Sequence, residues 1–229
     1  MSYQIAIDGP AGAGKSTIAK RLAKKLGFIY VDTGAMYRAM ALYFIRRGLD
    51  PSDRAAVEGA CPEVKVEIVY EGGEQQVLLN GENVTGLIRT EEVGNMTSQV
   101  SVYPAVREKL VELQRALAAK ADVIMDGRDI GTCVLPAADL KVYLTASVQA
   151  RAGRRYRELS EKGEKPVLKE IERDIEERDY RDMHREISPL KQAEDAVLLD
   201  SSDMGIDEVV ETVLRLKKEK GEQHEGDRS

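Results

Sequence analysis

The chain has no tryptophan and only two phenylalanines, two cysteines and two histidines among its 229 residues. Cys61 and Cys133 cannot staple a chain of this length, so a disulfide scaffold is excluded and a reduced, cytoplasmic protein is the simpler expectation. Both cysteines read as small core residues. His184 and His224 fall in no motif, which removes an imidazole from the expected chemistry. No charge-free apolar run approaches the ~18–20 residues of a membrane span. The start, MSYQIAID, has no basic stretch leading into an apolar one, so no secretory signal is expected. Positive charge is not in excess either: 34 Lys and Arg against 40 Asp and Glu leave −6, which argues against nonspecific coating of nucleic acid. An anionic substrate must therefore meet basic residues gathered locally. What remains is a chain 42% hydrophobic and 32% charged, able to bury a substantial core. Its length suits one large domain, or one domain with an insertion.

Short apolar runs alternate with helical periods. Tyr3–Asp8, Phe28–Val31, Val123–Asp126, Leu140–Leu144 and Ala196–Leu199 read as buried strands. Helices are expected after Gly14, from Thr33 to about Arg47, over 90–101, 104–120, 147–162 and 168–184, and from the last strand to about Lys218. Between about 63 and 88 the period changes to alternation (Val64, Val66, Ile68, Tyr70), broken by Gly72-Gly73 and Asn80-Gly81. That pattern predicts a small antiparallel insertion. The polar segment 221–229 is expected to be disordered. Strands alternating with helices predict an α/β fold, a parallel sheet flanked by helices.

Gly9-Pro10-Ala11-Gly12-Ala13-Gly14-Lys15-Ser16-Thr17 matches the full phosphate-binding loop, placed between a strand and a helix as its mechanism requires. The glycines let backbone N–H groups turn toward phosphates, the helix N-terminus adds partial positive charge, and Lys15 adds a full one. The Ser16 hydroxyl is the expected Mg²⁺ ligand. Binding of ATP or GTP follows. No Asn/Thr-Lys-x-Asp guanine-reading motif is present, and the chain is short for a mechanical ATPase, which leaves phosphoryl transfer to a small molecule.

Bringing two polyphosphates together requires fixed cations. Arg151, Arg154 and Arg155, spaced i, i+3, i+4, fall on one helix face. Glu158 lies near that face, where it can orient one of them. Arg178, Asp182 and Arg185 share an arc of roughly 60° if their helix runs that far. The alternative is that these are solvated, salt-bridged faces. Gly163 and Pro166 separate the two clusters, a geometry suited to a flap that excludes water. Asp126-Gly127-Arg128-Asp129 leaves a strand at the carboxyl end of the sheet, where such folds bind ligands. Asp126 is expected to reach the Mg²⁺ through water, with Arg128 and Asp129 facing the acceptor. Tyr37 either stacks on a base or simply packs.

Several separate segments together resemble the bacterial cytidylate kinases of the P-loop nucleoside monophosphate kinase family. They are Gly9–Thr17, Asp32–Arg38, Thr97–Arg107, Asp126–Thr132, and Glu177–Asp182 with Arg185, Pro189 and Leu190. The resemblance covers about residues 2–218. It implies ATP-dependent phosphorylation of CMP and dCMP, with Mg²⁺, in a monomeric cytoplasmic enzyme. It implies one kinase unit with a core of 1–35, 105–150 and 190–220. A nucleoside-monophosphate-binding part spans 36–104 and carries the insertion, and a lid spans 151–185. In that family the residues matching Ser98, Arg107 and Asp129 read cytosine, and those matching Arg38 and Arg128 hold the acceptor phosphate. Those matching Arg178 and Asp182 contact the ribose, and the one matching Arg185 lies beside the nucleotide. Thr33 and Tyr37 fall in the same binding segment; Thr33 stands where some relatives carry serine. Ser16-Thr17 stands where some members carry Gly-Thr, which leaves two hydroxyls for the metal.

The expected mechanism is direct in-line transfer of the γ-phosphoryl group, with Lys15, Arg128, Arg151 and Arg155 stabilising charge and Arg154 on ATP. The acceptor phosphate is already anionic near neutral pH, so no general base is needed. The rival readings are a kinase of this fold acting on UMP, AMP or an alcohol such as shikimate, and a noncatalytic nucleotide sensor.

Overall fold

The structure is a computed structural model, and it describes residues 2–226. It divides into two compact units. One comprises the residues up to Ile29 together with those from Ala121 onward; the other is Tyr30–Lys120.

The first unit is built on parallel strands. Strand β1 (Gln4–Asp8) carries Ile5, Ala6 and Ile7, all buried because the sheet is covered on both faces. The chain then turns through Gly9–Gly14 into helix α1 (Lys15–Leu26). Ile18, Ala19, Leu22 and Ala23 recur at helical spacing and bury one face of α1. Gly27, in the left-handed region at φ 71°, ends it. Strand β2 (Ile29–Asp32) starts at the sheet edge, where the Ile29 N–H donates to the Asp122 carbonyl at 2.9 Å.

In the second unit, α2 (Thr33–Arg46) follows β2 without a loop, because the Asp32 carboxylate accepts the Ala35 N–H at 2.9 Å and caps the helix. A short α3 (Arg54–Ala60), capped by Asp53, comes next and was not expected from the pattern: seven residues containing Gly59 carry too little period. The expected insertion is a three-stranded antiparallel sheet, β3 (Val66–Glu71), β4 (Glu74–Leu79) and β5 (Glu82–Asn83). Its two turns, Gly72-Gly73 and Asn80-Gly81, have positive φ at both positions, the signature of the type I′ hairpin. Helices α4 (Glu91–Val100) and α5 (Pro104–Ala118) complete the unit. Helix α5 packs on α2 and α3.

Back in the first unit, β6 (Val123–Gly127), β7 (Leu140–Thr145) and β8 (Val197–Asp200) pair in parallel, with β1 between β6 and β7. The five-stranded order is β2-β6-β1-β7-β8. Between β6 and β7 the chain makes a π-helical turn over Ile130–Val134. Helices α6 (Val148–Glu161) and α7 (Leu168–His184) pack on each other. Helix α8 (Ile206–Gly226) packs on α1 and β7.

Two expectations need correction. Helix α7 stops at His184, and Arg185 is extended (φ −65°, ψ 141°), so the arc expected of Arg178, Asp182 and Arg185 does not include the last of them. The chain reverses there, and the Leu190 N–H caps the Asp182 carbonyl at 2.8 Å. Secondly, α8 runs to Gly226, so the expected disordered tail is helical over 221–226; its last residues, 227–229, lie outside the described residues.

Candidate active site

Three glycines shape the phosphate loop, with φ of 149° at Gly9, 76° at Gly12 and 88° at Gly14. Gly9 is also sterically obligatory. A Cβ there would lie 1.9 Å from the Leu144 carbonyl oxygen of β7. Lys15, at the start of α1, is buried and donates to the Pro10 carbonyl at 2.7 Å. Burial, and next the positive charge of Arg128, pull its pKa well below the ordinary lysine value; Asp126, Asp8 and Asp182 oppose the fall. The Ser16 hydroxyl donates to Asp126 Oδ2 at 2.8 Å, so the two residues expected at the metal meet. A hydroxyl oxygen beside a carboxylate is a hard donor set that suits Mg²⁺.

The loop after β6 carries the expected acceptor residues, and α7 answers it. Arg128 Nε donates to Asp182 Oδ2 at 2.7 Å, and Arg185 Nη2 lies 3.5 Å from Asp129 Oδ1. Two neighbours of opposite charge on the loop thus pair with two residues of opposite charge at the end of α7. Burial pulls the Arg128 guanidinium down, but Asp182, with Asp126 and Asp179, outweighs it and raises its pKa. Burial likewise pushes Asp182 up, and Arg128, with Arg178 and Arg185, outweighs it and holds the carboxyl low. Arg185 Nε is fixed by the Ser188 carbonyl at 2.6 Å. Arg178 sits within electrostatic reach of Asp182.

The arginines of α6 do not act as one face. Arg151 is 4% exposed and fully committed: Nε donates to Ala146 O at 2.8 Å, Nη1 to Ala11 O at 2.9 Å and Nη2 to Asp179 Oδ2 at 2.6 Å. It ties the phosphate loop to α6 and α7. Arg154 donates to the Ser201 carbonyl at 2.5 Å. Arg155 is exposed and pairs with Glu158 at 3.0 Å, the partner anticipated for one of the three.

In the second unit, Thr33 is buried at the start of α2, and Tyr37 and Arg38 lie one turn on. Arg38 folds back along the helix, its Nη1 3.2 Å from where a Cβ at residue 34 would stand, so Gly34 makes room for it. Arg107 is buried on α5, donates to the Ser101 carbonyl at 3.5 Å and stands 5.9 Å above the Tyr37 ring. Ser98 is half-buried on α4. An open cleft of about 710 Å³, lined by Thr90, Glu91, Glu92, Asn95 and Gln99 among others, contains none of the expected residues. Its carboxylates would repel a nucleotide.

Reading the sequence alone missed four polar residues. Asp8 accepts the Ile130 N–H at 2.8 Å and the Gly131 N–H at 2.7 Å, and burial, against those two hydrogen bonds, pushes its carboxyl up to about 6. Lys141 is buried mid-strand on β7. Asp179, inside the Glu177–Asp182 segment, holds Arg151. Gln75 of β4 brackets Asp32, accepting from its N–H at 2.8 Å and donating to its carbonyl at 3.2 Å. The available signal was a charged residue inside an apolar strand, at Asp8 and Lys141.

A family profile described as Cytidylate kinase matches residues 5–219. Curated proteins named cytidylate kinase are similar over most of their lengths. That of Lactobacillus gasseri is 53% identical over 95% of this chain and 94% of its own. That of Carboxydothermus hydrogenoformans is 48% identical over 93% and 96%. Among solved structures, a gluconokinase from Sinorhizobium meliloti superposes with a TM-score of 0.55 at 12% identity, over 99% of this chain and 98% of its own. That likeness shows a shared fold.

Proposed function

The chain belongs to the cytidylate kinase family, which makes it a phosphotransferase, and from that premise we propose that it transfers the γ-phosphoryl group of ATP to CMP or dCMP. The observation that carries this reading is the cluster of the first unit, where Lys15, Ser16 and Asp126 of the phosphate loop and β6 stand beside the paired Arg128–Asp182 and Asp129–Arg185.

Transfer requires placing two anions in line and stabilising charge on the oxygens between them. The acceptor phosphate has a second pKa of about 6 and is largely ionised at neutral pH, so no base has to remove a proton. Ser16 and Asp126 would hold Mg²⁺, which when bound neutralises charge on the transferring phosphates. Lys15 supplies a compact ammonium at the loop. Arg128 and Arg38 suit the acceptor phosphate, because a guanidinium grips phosphate through two parallel N–H groups.

Arg155 is the α6 arginine whose partner can change cheaply. Its exposed pair with Glu158 is worth at most ~1 kcal/mol, so in a lid closing over 151–185 it can turn to phosphate. Arg151 cannot do so without abandoning three hydrogen bonds, two of them buried, and its role is positioning. Arg154 contributes on the ATP side.

Recognition of the base follows from the donor pattern of cytosine. Its N4 amine needs an acceptor, supplied by Asp129 and Ser98, while O2 and N3 need donors, supplied by Arg107. Uracil, with O4 in place of the amine, would set a carbonyl acceptor against the Asp129 carboxylate, acceptor against acceptor. Arg178 and Asp182 suit the ribose, and Arg185 the nucleotide beside them; tolerance of dCMP requires that the 2′-hydroxyl contact be dispensable. Thr33 and Tyr37 complete the acceptor side of the second unit. Among the described residues no helix is long and apolar enough to cross a membrane. A monomeric cytoplasmic enzyme of pyrimidine nucleotide metabolism, with no nucleic-acid partner, completes the reading.

A coupled ADP-release assay with MgATP tests it across CMP, dCMP, UMP, AMP, GMP and shikimate. CMP and dCMP are expected to lead by at least tenfold. Preference for another acceptor, or no acceptor-dependent ADP at all, overturns the reading.

A further inference from the structure

We propose that Asp8 and Lys141, two buried charges outside the phosphate-binding and acceptor-binding machinery, are positioning residues that fix the loop between β6 and β7 and so aim Arg128 and Asp129. The inference rests on the assignment of those two residues to the acceptor.

Asp8 and Lys141 are 6% and 5% exposed and sit within the parallel sheet. Asp8 is the last residue of β1, and Lys141 pairs in register with Ala6, two residues before it on the same strand. In a parallel pair, residues in register point to one face, as do residues two apart, so both side chains emerge beneath the loop. Asp8 spends both carboxylate oxygens on it, one on the N–H of Ile130 and one on that of Gly131. These bonds fall at the start of the π-helical turn, directly after Arg128-Asp129.

Lys141 holds the other end. Its Nζ donates to the Pro136 carbonyl at 2.6 Å and to Asp195 Oδ1 at 2.8 Å. Its stem lies against Gly131, where an added Cβ would be 3.1 Å from Lys141 Cδ and 3.4 Å from Asp8 Oδ2. The loop is therefore pressed down at Gly131 and tethered at Pro136. A strand interior would be filled more simply by apolar residues, since burying a charge is costly unless it is matched. What the two charges add is direction: they orient the backbone N–H and C=O groups at the two ends of a segment whose own bonds amount to a single π-helical turn.

The test compares Lys141→Met, Asp8→Asn and Arg128→Ala with the parent enzyme. Lys141→Met keeps the stem over Gly131 and removes only the tether. It is expected to raise KM for CMP about tenfold, with KM for ATP changed less than twofold and the melting temperature nearly unchanged. Asp8→Asn turns an amide N–H₂ toward a backbone N–H; amide exchange at Ile130 and Gly131 is expected to quicken at least tenfold. If Arg128→Ala raises KM for CMP while Lys141→Met does not, the inference is wrong and the acceptor assignment stands. If Arg128→Ala leaves KM for CMP unchanged, the acceptor assignment fails, and with it the aiming role. Unchanged exchange at 130 and 131 in Asp8→Asn refutes the anchoring by itself.

Discussion

Replacing Arg151 by methionine removes the guanidinium while keeping most of the stem volume, which isolates its polar work. Arg151 and Asp179 are 4% and 12% exposed at the side chain, so solvent screens their pair little. Asp179 Oδ1 is already buried without a hydrogen bond, and the mutation would strip the other oxygen as well. Removing one member of a buried pair costs about 3–5 kcal/mol. The carbonyls of Ala11 and Ala146 lose donors at about 1 kcal/mol each, offset in part by the retained stem. A net loss of about 4–5 kcal/mol is expected. At ~2–4 °C per kcal/mol for a chain of this size, Tm falls by roughly 8–20 °C. Urea and thermal unfolding followed by circular dichroism measure it. The double variant Arg151→Met/Asp179→Leu is expected to recover about 2 kcal/mol over Arg151→Met, because no buried charge remains. A loss below ~1 kcal/mol for the single variant, or a double variant as unstable as the two losses combined, would refute the view of Arg151 as a buried strut.

Three further outcomes follow from the same geometry. Lys15→Met should lower kcat by at least ~10²–10³, with the far-ultraviolet dichroism spectrum unchanged; the ADP-release assay checks this. Gly9→Ala must move a Cβ away from the Leu144 carbonyl and leave φ 149°, at a cost of at least ~2 kcal/mol, visible as a lowered unfolding midpoint and weakened ATP binding by calorimetry. The Asp8 carboxyl titrates near 6 in the folded chain against 3.8 in the unfolded one, so the folded state holds its proton more tightly. Its contribution is most favourable below pH ~4 and is lost as pH rises through 6, by about 3 kcal/mol. The stability of the parent relative to Asp8→Asn should fall by about 2 kcal/mol of this between pH 4 and 7, measured by urea unfolding; a pH-independent difference contradicts it.

Much of this architecture was legible because its signals are local. Gly9–Lys15 announces a strand-to-helix turn with an ammonium at its end, and Gly72-Gly73 and Asn80-Gly81 announce hairpins through backbone angles that only a few residues adopt. Ser16 and Asp126 are each expected near the metal from separate motifs, and the hydroxyl of one donates to the carboxylate of the other. Helix periodicity, by contrast, tells which residues share a face but not what lies across from it. Arg151, Arg154 and Arg155 share one helix, yet one meets a buried carboxylate, one a backbone carbonyl and one an exposed carboxylate. The end of α7 was misjudged for a similar reason: the residue that caps it, Leu190, is eight positions beyond Asp182 and returns only through a chain reversal. Asp8 and Lys141 belong to no local motif, and the loop that covers them is a tertiary fact that strand patterning does not carry.

The central claim is that the cations of the phosphate loop and the β6 loop serve one direct transfer between two nucleotides. Following the label of stereochemically defined [γ-¹⁶O,¹⁷O,¹⁸O]ATP (γ-thio-substituted if required) through a single turnover with CMP tests it most directly. The label should arrive on the terminal phosphate of CDP with inverted configuration at phosphorus and none on the protein. Retained configuration, labelled protein, or release of the label as orthophosphate alone would contradict it.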